Sequence, residues 1–302
     1  IGVALVLLAD FVHVAVLGLV GTVWGPSSSH ALGIRDTFPD PIWTHALFGA
    51  ELETTYAVFG AAVFSCLTLA FGVFSRSSAV VLLLASAQLG AMLPQGDRGI
   101  DVALRAALVL LALSDCGATL SFDAWRRHQT WRPKRTSVLA WPRRLLVIQL
   151  LWIYFSAGLH KMQSPWWPDG DWSALYIILN DPHFARFELP WLADVYPLTQ
   201  LGTASTMLFE LGATFMGLAL LARRKRTRGQ PLGRVSRALL WLRVREGWLL
   251  LGVGFHVGLA VAMQLGIFPY GMLVLYPAFF SPSEWPPRPL AWLSARRARR
   301  RA

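Results

Sequence analysis

The feature that most limits the fold of this chain is its division into apolar blocks about 20 residues long, separated by short polar connections. An α-helix rises 1.5 Å per residue, so one such block crosses roughly 30 Å of hydrocarbon. The chain is 55% hydrophobic and 15% charged, too apolar and too charge-poor for an ordinary soluble protein of 302 residues. Length and hydropathy predict about eight spans, over 1–24, 54–74, 77–93, 100–120, 144–159, 198–222, 247–265 and 268–280. Gly266, Pro269 and Gly271 interrupt the last apolar stretch, which is read as two spans with a tight turn rather than one broken helix. The expected fold is all-α, a polytopic transmembrane helical bundle forming a single domain over 1–302, with a basic cytoplasmic tail near 285–302. Ile1 opens within an apolar block that contains Asp10 and His13 and lacks a small-residue cleavage pattern, so it reads as a retained span of a longer product.

Orientation follows from the basic residues, because cytoplasmic connections retain Lys and Arg. They gather between spans four and five, from Arg126 to Arg144 with Lys134 and Arg135 among them. A second group runs between spans six and seven, from Arg223 to Arg245, and a third lies in the tail, from Arg288 to Arg301. With Arg76 these groups hold most of the 28 basic residues, and they share one side if the spans alternate. Asp36, Asp40, Asp97, Asp169, Asp171, Asp181, Glu188 and Asp194 fall on the other side, so both termini are expected to be cytoplasmic. The net charge of +11 is thereby accounted for by topology, and no nucleic-acid partner is expected. Cys66 and Cys116 sit inside apolar blocks without metal-site spacing, so no metal is expected. Two outer connections are long. The second, over 162–197, holds Trp166, Trp167, Trp172 and Trp191, residues suited to the headgroup zone, and predicts a lid with a short amphipathic helix near 172–179.

Ionisable groups in spans are expensive and usually face a protein interior or a cavity. Glu51 and Glu53 open span two, Asp101 and Arg105 begin span four, His160 and Lys161 close span five, Glu210 lies within span six, and His256 is near the middle of span seven. A polar pocket in the outer half of the bundle would gather them. Each also has a structural reading: Asp101 and Arg105 at i, i+4 and Asp10 and His13 at i, i+3 as helix pairs, Lys161 as a cation snorkelling to headgroups, and His256 as a hydrogen-bonded core residue. Glu210 at that depth needs a cation, a proton or a polar partner. A lysine amine held where water is scarce loses its proton more readily, so Lys161 is the candidate base.

The stretch from Gln149 to Met162, QLLWIYFSAGLHKM, followed by WPDG at 167–170, resembles the signature of the HTTM membrane domain, shared between bacterial proteins and the vitamin K-dependent gamma-carboxylase. Gly99-Ile-Asp101, Ser121-Phe-Asp123, Phe255-His256 and Gly266-Ile-Phe268 extend the likeness over most of the chain. The resemblance implies that Lys161 is the base that starts oxidation of vitamin K hydroquinone, and it implies a multi-pass protein of the bacterial cytoplasmic (inner) membrane. Two departures stand out: Ala118 occupies the place of a histidine used by the carboxylase, and the residues up to Ala302 include no large luminal region for a protein substrate, so protein glutamate carboxylation is not expected.

The leading expectation is therefore an HTTM-type enzyme acting on a lipophilic, quinol-like substrate. Lys161, Glu210 and His160 would be catalytic, with Asp101, Arg105, His256, Glu51, Trp167 and Tyr154 binding the substrate. The alternative is a non-catalytic membrane protein that binds lipids or a partner and uses these polar residues only to knit helices. A transporter is disfavoured by the lack of repeated halves with matching broken helices. Membrane lipids and a lipophilic small molecule are the expected partners.

Overall fold

The computed structural model of the protein describes residues 1–26, 47–49, 51–133, 138–281 and 284. The predicted tail over 285–302, the acidic residues Asp36 and Asp40, and the basic residues Lys134 and Arg135 lie outside the described residues. Among the described residues the structure is helical and contains no β-strand, only one isolated antiparallel bridge between Ala185 and Met263.

Thirteen α-helices follow in order among these residues: α1 (Gly2–Val16), α2 (Val20–Trp24), α3 (Leu52–Phe71), α4 (Ser75–Met92), α5 (Gly99–Ala112), α6 (Phe122–His128), α7 (Trp141–His160), α8 (Ala174–Asn180), α9 (Tyr196–Leu211), α10 (Ala213–Thr227), α11 (Arg234–Trp241), α12 (Val244–Ala262) and α13 (Phe268–Leu273). Two of them, α3 and α12, are long and apolar enough to cross a membrane alone, and α9 with α10 makes a third if that pair, bent by 45°, is one span. Each predicted block is helical, but several are interrupted. The first breaks between α1 and α2 at Gly18, whose φ of +69° no β-carbon-bearing residue adopts cheaply. The fourth stops at Ala112, the sixth bends at Gly212, and the last is α13 followed by a 3₁₀ turn at Tyr276–Phe279.

The buried core mixes large apolar side chains such as Leu82, Ile100, Leu104 and Phe209 with small ones, and other large apolar side chains face outward. Ala4, Ala62, Ala79, Ala103, Ala107, Ala213 and Ala219 are buried between helices, while Phe64, Phe71, Trp152, Leu208, Phe215, Leu250 and Val261 are exposed. Small interfacial residues let helix backbones approach closely, and an outer surface of this kind is at home in lipid, where lost hydration drives nothing between helices. The α3–α4 turn shows how local chemistry sets such a contact. Gly72 ends α3 at φ +69°, and a β-carbon there would collide with Ser121. Asp123, in the first turn of α6, accepts from the Phe74 and Ser75 amides at 3.0 and 2.7 Å and from the Ser75 hydroxyl at 2.8 Å. Burial pushes the Asp123 carboxyl up, but these donors outweigh it and hold the group below the usual carboxylate range.

Elsewhere the connections collect at two ends of the bundle. At one, Arg143 donates to the Ala278 carbonyl at 3.1 Å, Arg245 donates to the Phe279 carbonyl at 3.3 Å, and Arg223 bonds Glu246 at 3.1 Å. Glu284 joins them, 2.6 Å from Arg245 and also paired with Arg223. At the other, the Arg186 amide donates to the Ala262 carbonyl at 3.0 Å and the Gln264 amide to the Phe184 carbonyl at 2.8 Å. There too the Asp171 carboxylate accepts from Tyr196 at 3.0 Å and Gln200 at 2.8 Å, and the Leu175 amide donates to Thr203 at 3.0 Å, so the Trp-rich connection and α8 are fastened to α9.

Candidate functional site

Helix α7 delivers the site. Its last residue is His160, and Lys161 is the C-cap, so the lysine side chain leaves the helix end where no further turn competes for the space. Lys161 Nζ donates to both oxygens of Glu210, at 2.7 and 2.9 Å. The carboxylate is deeply buried at 5% side-chain exposure, against 26% for the lysine. Gly158 makes the approach possible: a β-carbon there would lie 2.9 Å from Leu211 and 3.1 Å from Glu210, so only glycine lets α7 and the end of α9 touch at this level. The Trp166 ring lies 5.3 Å from the ammonium nitrogen, a cation–π contact from the connection that leaves α7. Trp167 pairs with Trp172 at 5.8 Å, and its indole nitrogen is buried with no hydrogen-bond partner among the described residues.

Another polar array lies two turns back along α7. Tyr154 Oη is 2.6 Å from His256 Nε2 and 3.0 Å from Tyr276 Oη, all three side chains buried. His256 Nδ1 is also buried and has no hydrogen-bond partner among the described residues. Phe209 and Trp248 wall the array, with ring centroids 4.7 and 5.4 Å from Tyr154. Trp248 donates its indole N–H to the Phe209 carbonyl at 2.8 Å, one residue before Glu210, which fixes α9 and α12 against each other here. Gly252 is the other required glycine, since a β-carbon would strike Tyr276 and Phe209.

The structure thus joins Lys161 with Glu210, and Tyr154 with His256. It does not join the rest as expected. Asp101 and Arg105 are not an i, i+4 pair: Asp101 bonds Arg98 Nε at 2.8 Å, and Arg105 pairs with Asp97 at 2.5 Å. Asp10 does not pair with His13 either, because Arg98 reaches it at 2.6 Å. The reason is geometric. A guanidinium can fork across two carboxylates, and Arg98 at the α5 N-cap lies between them, a better arrangement than a single lateral contact on one helix. These five residues line a separate cleft of about 240 Å³ with Leu7, Phe11 and Leu104, and share no hydrogen bond or ion pair with Lys161 and Glu210 among the described residues. His160 turns back to its own helix, with Nδ1 2.7 Å from the Ser156 carbonyl. Glu51 is exposed at the N-cap of α3.

Tyr276 and Trp166 belong to these two arrays although the sequence gives neither a site role. Tyr276 is a single hydroxyl in an apolar run, and Trp166 has the surroundings of an interfacial tryptophan. Chemically, an amine and a carboxylate in bidentate contact can exchange a proton between them, and the three-residue hydroxyl–imidazole array can bond or relay one. Among the described residues no group of His, Cys, Asp and Glu could hold a metal ion.

A family model, the HTTM domain, matches residues 35–232, which takes in Tyr154, Lys161 and Glu210 and leaves His256 and Tyr276 beyond its end. No curated protein and no solved structure matches the chain.

Proposed function

Since the chain belongs to the HTTM domain family, we propose that it is a membrane-embedded enzyme in which Lys161 is the base acting on a lipophilic quinol, with vitamin K hydroquinone as the type of substrate. The observation that carries this reading is the bidentate contact of Lys161 with the buried Glu210 carboxylate beneath Trp166. When the proton resides on Glu210, the amine is neutral and can take the hydroxyl proton of a quinol, leaving an ammonium and a quinolate. Glu210 keeps its own proton through this step, so the quinolate is the counter-ion of the new ammonium and the neutral carboxyl accepts one of its hydrogen bonds. The buried, unpartnered His256 Nδ1 and Trp167 Nε1 fit a ligand with oxygen atoms, because each gains a hydrogen bond on its arrival. His160, Asp101, Arg105 and Glu51 have partners or positions away from this pair, so the catalytic role of His160 and the substrate-binding roles of the other three are dropped from the proposal.

The topology that goes with this reading is eight spans in the bacterial inner membrane, with both termini cytoplasmic. It is supported by the one-sided Lys and Arg distribution and by the meeting of Arg143, Arg223, Arg245 and the 278–280 backbone at one end of the bundle. The test compares the purified wild type with Lys161→Ala for quinol-dependent turnover and for thermal stabilisation by added quinone. Loss of turnover with retained quinone stabilisation is expected; equal turnover in both proteins removes the catalytic role.

The non-catalytic alternative is favoured by the same contact seen differently, as a staple of α7 to α9 beside Gly158. It predicts that quinone neither stabilises nor is turned over, while substitutions at Lys161 and Glu210 lower folding yield.

A further inference from the structure

A cleft of about 590 Å³ opens between the end of α10, the short helix α11 and the start of α12. Its wall carries four guanidinium groups, from Arg223, Arg226, Arg243 and Arg245, above the apolar Ala219 and Leu239. Two of the four are committed to the protein: Arg223 bonds Glu246 and Glu284, and Arg245 bonds Glu284. Arg226 and Arg243 have no hydrogen bond or ion pair among the described residues. Arg245 is 4% exposed, and its Nε is buried without a hydrogen-bond partner among the described residues. A buried guanidinium nitrogen left without an acceptor is costly, more so than a neutral one. Glu246 and Glu284 offset two of the four positive charges, and the surplus belongs to the two uncommitted arginines.

The surroundings say what kind of anion the cleft would take. Helix α11 presents Val235 at 66% exposure and Trp241 at 82%, next to Leu242 at 62%, while Leu239 packs inward. The exposed side of this eight-residue helix carries Trp241 between Arg234 and Arg237, with Val235 at its edge, the mix of tryptophan and arginine that meets a headgroup layer. A free anion from solution has no use for that apolar rim. We propose that this cleft is a binding site for the phosphate headgroup of an anionic phospholipid, with Arg226 and Arg243 gripping the phosphate, Arg245 Nε donating from below, and the acyl chains running past Leu239 and Trp241 into the bilayer. Arg243, the N-cap of α12, sits at φ +50°, a strained conformation for a side-chain-bearing residue, and lines the cleft.

The chemistry shared by a lipid headgroup and inorganic phosphate is a tetrahedral oxyanion, so the test separates them. The full chain is reconstituted in nanodiscs of phosphatidylcholine alone or with phosphatidylglycerol, and thermal unfolding and retained lipid by native mass spectrometry are read. Wild type is expected to retain phosphatidylglycerol and to unfold at higher temperature with it, while inorganic phosphate at matched ionic strength has no such effect. Arg226→Gln with Arg243→Gln should weaken retention roughly thirtyfold, at about one surface cation's contribution each. Arg226→Lys with Arg243→Lys should fall between, because an ammonium keeps the charge but loses the fork. Arg234→Gln with Arg237→Gln, on α11 outside the cleft, should leave retention unchanged. Equal loss in that control shows diffuse attraction and overturns the site, and so does stabilisation by inorganic phosphate alone. If the Gln pair does not fold, the Lys pair and the wild-type lipid comparison still decide, since absence of selective phosphatidylglycerol retention in wild type refutes the proposal.

Discussion

Replacing Lys161 by Met, Glu210 by Gln, and both together makes a double-mutant cycle that weighs the central contact. Lys161→Met leaves a carboxylate with 5% exposure facing a thioether, and stranding one member of a buried pair costs about 3–5 kcal/mol. The lower end applies here, because the lysine is 26% exposed and water reaches part of the site. Glu210→Gln leaves the ammonium better hydrated and beside Trp166, so about 1–2 kcal/mol is expected. In the double variant neither charge remains, and a buried pair replaced by neutral groups of like volume is often near neutral, which places the coupling energy at about 4–5 kcal/mol. Equilibrium unfolding in mixed micelles reads the stabilities, and quinol turnover is followed on the same four proteins. Turnover should fall at least about a hundredfold in both lysine variants, including the double one, although the double regains stability. Additive stabilities would show that the contact carries no coupling, and turnover restored with stability would show that Lys161 is only a staple.

Gly158→Leu should separate α7 from α9 and destabilise the protein by at least about 2 kcal/mol in the same unfolding assay, since the new side chain enters occupied space beside Leu211. Tyr154→Phe should cost about 1–3 kcal/mol, because His256 would then have both ring nitrogens buried without a partner. Glu284 titrates at about 2 rather than 4.5: burial pushes it up, but hydrogen bonds from Ser281 and the guanidinium of Arg245 pull it further down. A depressed folded value means that the unfolded chain binds the proton more readily, so the contribution is whole above about pH 4.5 and fades as pH falls towards about 2. Unfolding measured across that window should show a smaller acid-side slope for Glu284→Gln than for wild type.

The helical blocks were legible because uninterrupted apolar length is a direct record of the environment. The interruptions were not, since Gly18 and Gly212 sit in runs where glycine serves packing as often as it serves a break. Convergence of Lys161 and Glu210 was legible from depth alone: one closes its block at the outer face, the other lies within the next, and antiparallel neighbours must bring such positions together. Depth says nothing of azimuth, and so it also drew in Asp101 and Arg105, which belong to a cleft against α1. The i, i+4 rule failed there because Asp97 and Arg98, just upstream of α5, supply partners that fork back onto the helix. Tyr276 was hidden because one phenol among Leu275, Pro277 and Phe279 has no periodic signature, and its partners come from α7 and α12, more than a hundred residues and about twenty residues away respectively.

Two polar clusters now compete for the proposed chemistry, and their cations separate them. In the cleft against α1, Asp10, Asp97 and Asp101 are held by Arg98 and Arg105. A guanidinium does not give up its proton in a protein, so that cluster can fix helices and orient an anion or a hydroxyl, but it cannot act as a base. In the contact between α7 and α9 the cation is an ammonium, which unlike a guanidinium belongs to a side chain that can serve as a base. Its partner is a single buried carboxylate with no other cation bonded to it among the described residues, so the proton has one place to go and one place to return from. If the protein moves protons, the physical chemistry of the two cations puts that step at Lys161 and leaves the arginine cluster to hold α1 and the connection after α4 against α5. Substituting Arg98 should accordingly disturb folding of the N-terminal half without changing the pH profile of turnover, whereas a shifted profile in Arg98→Lys would mean that the two clusters act as one site.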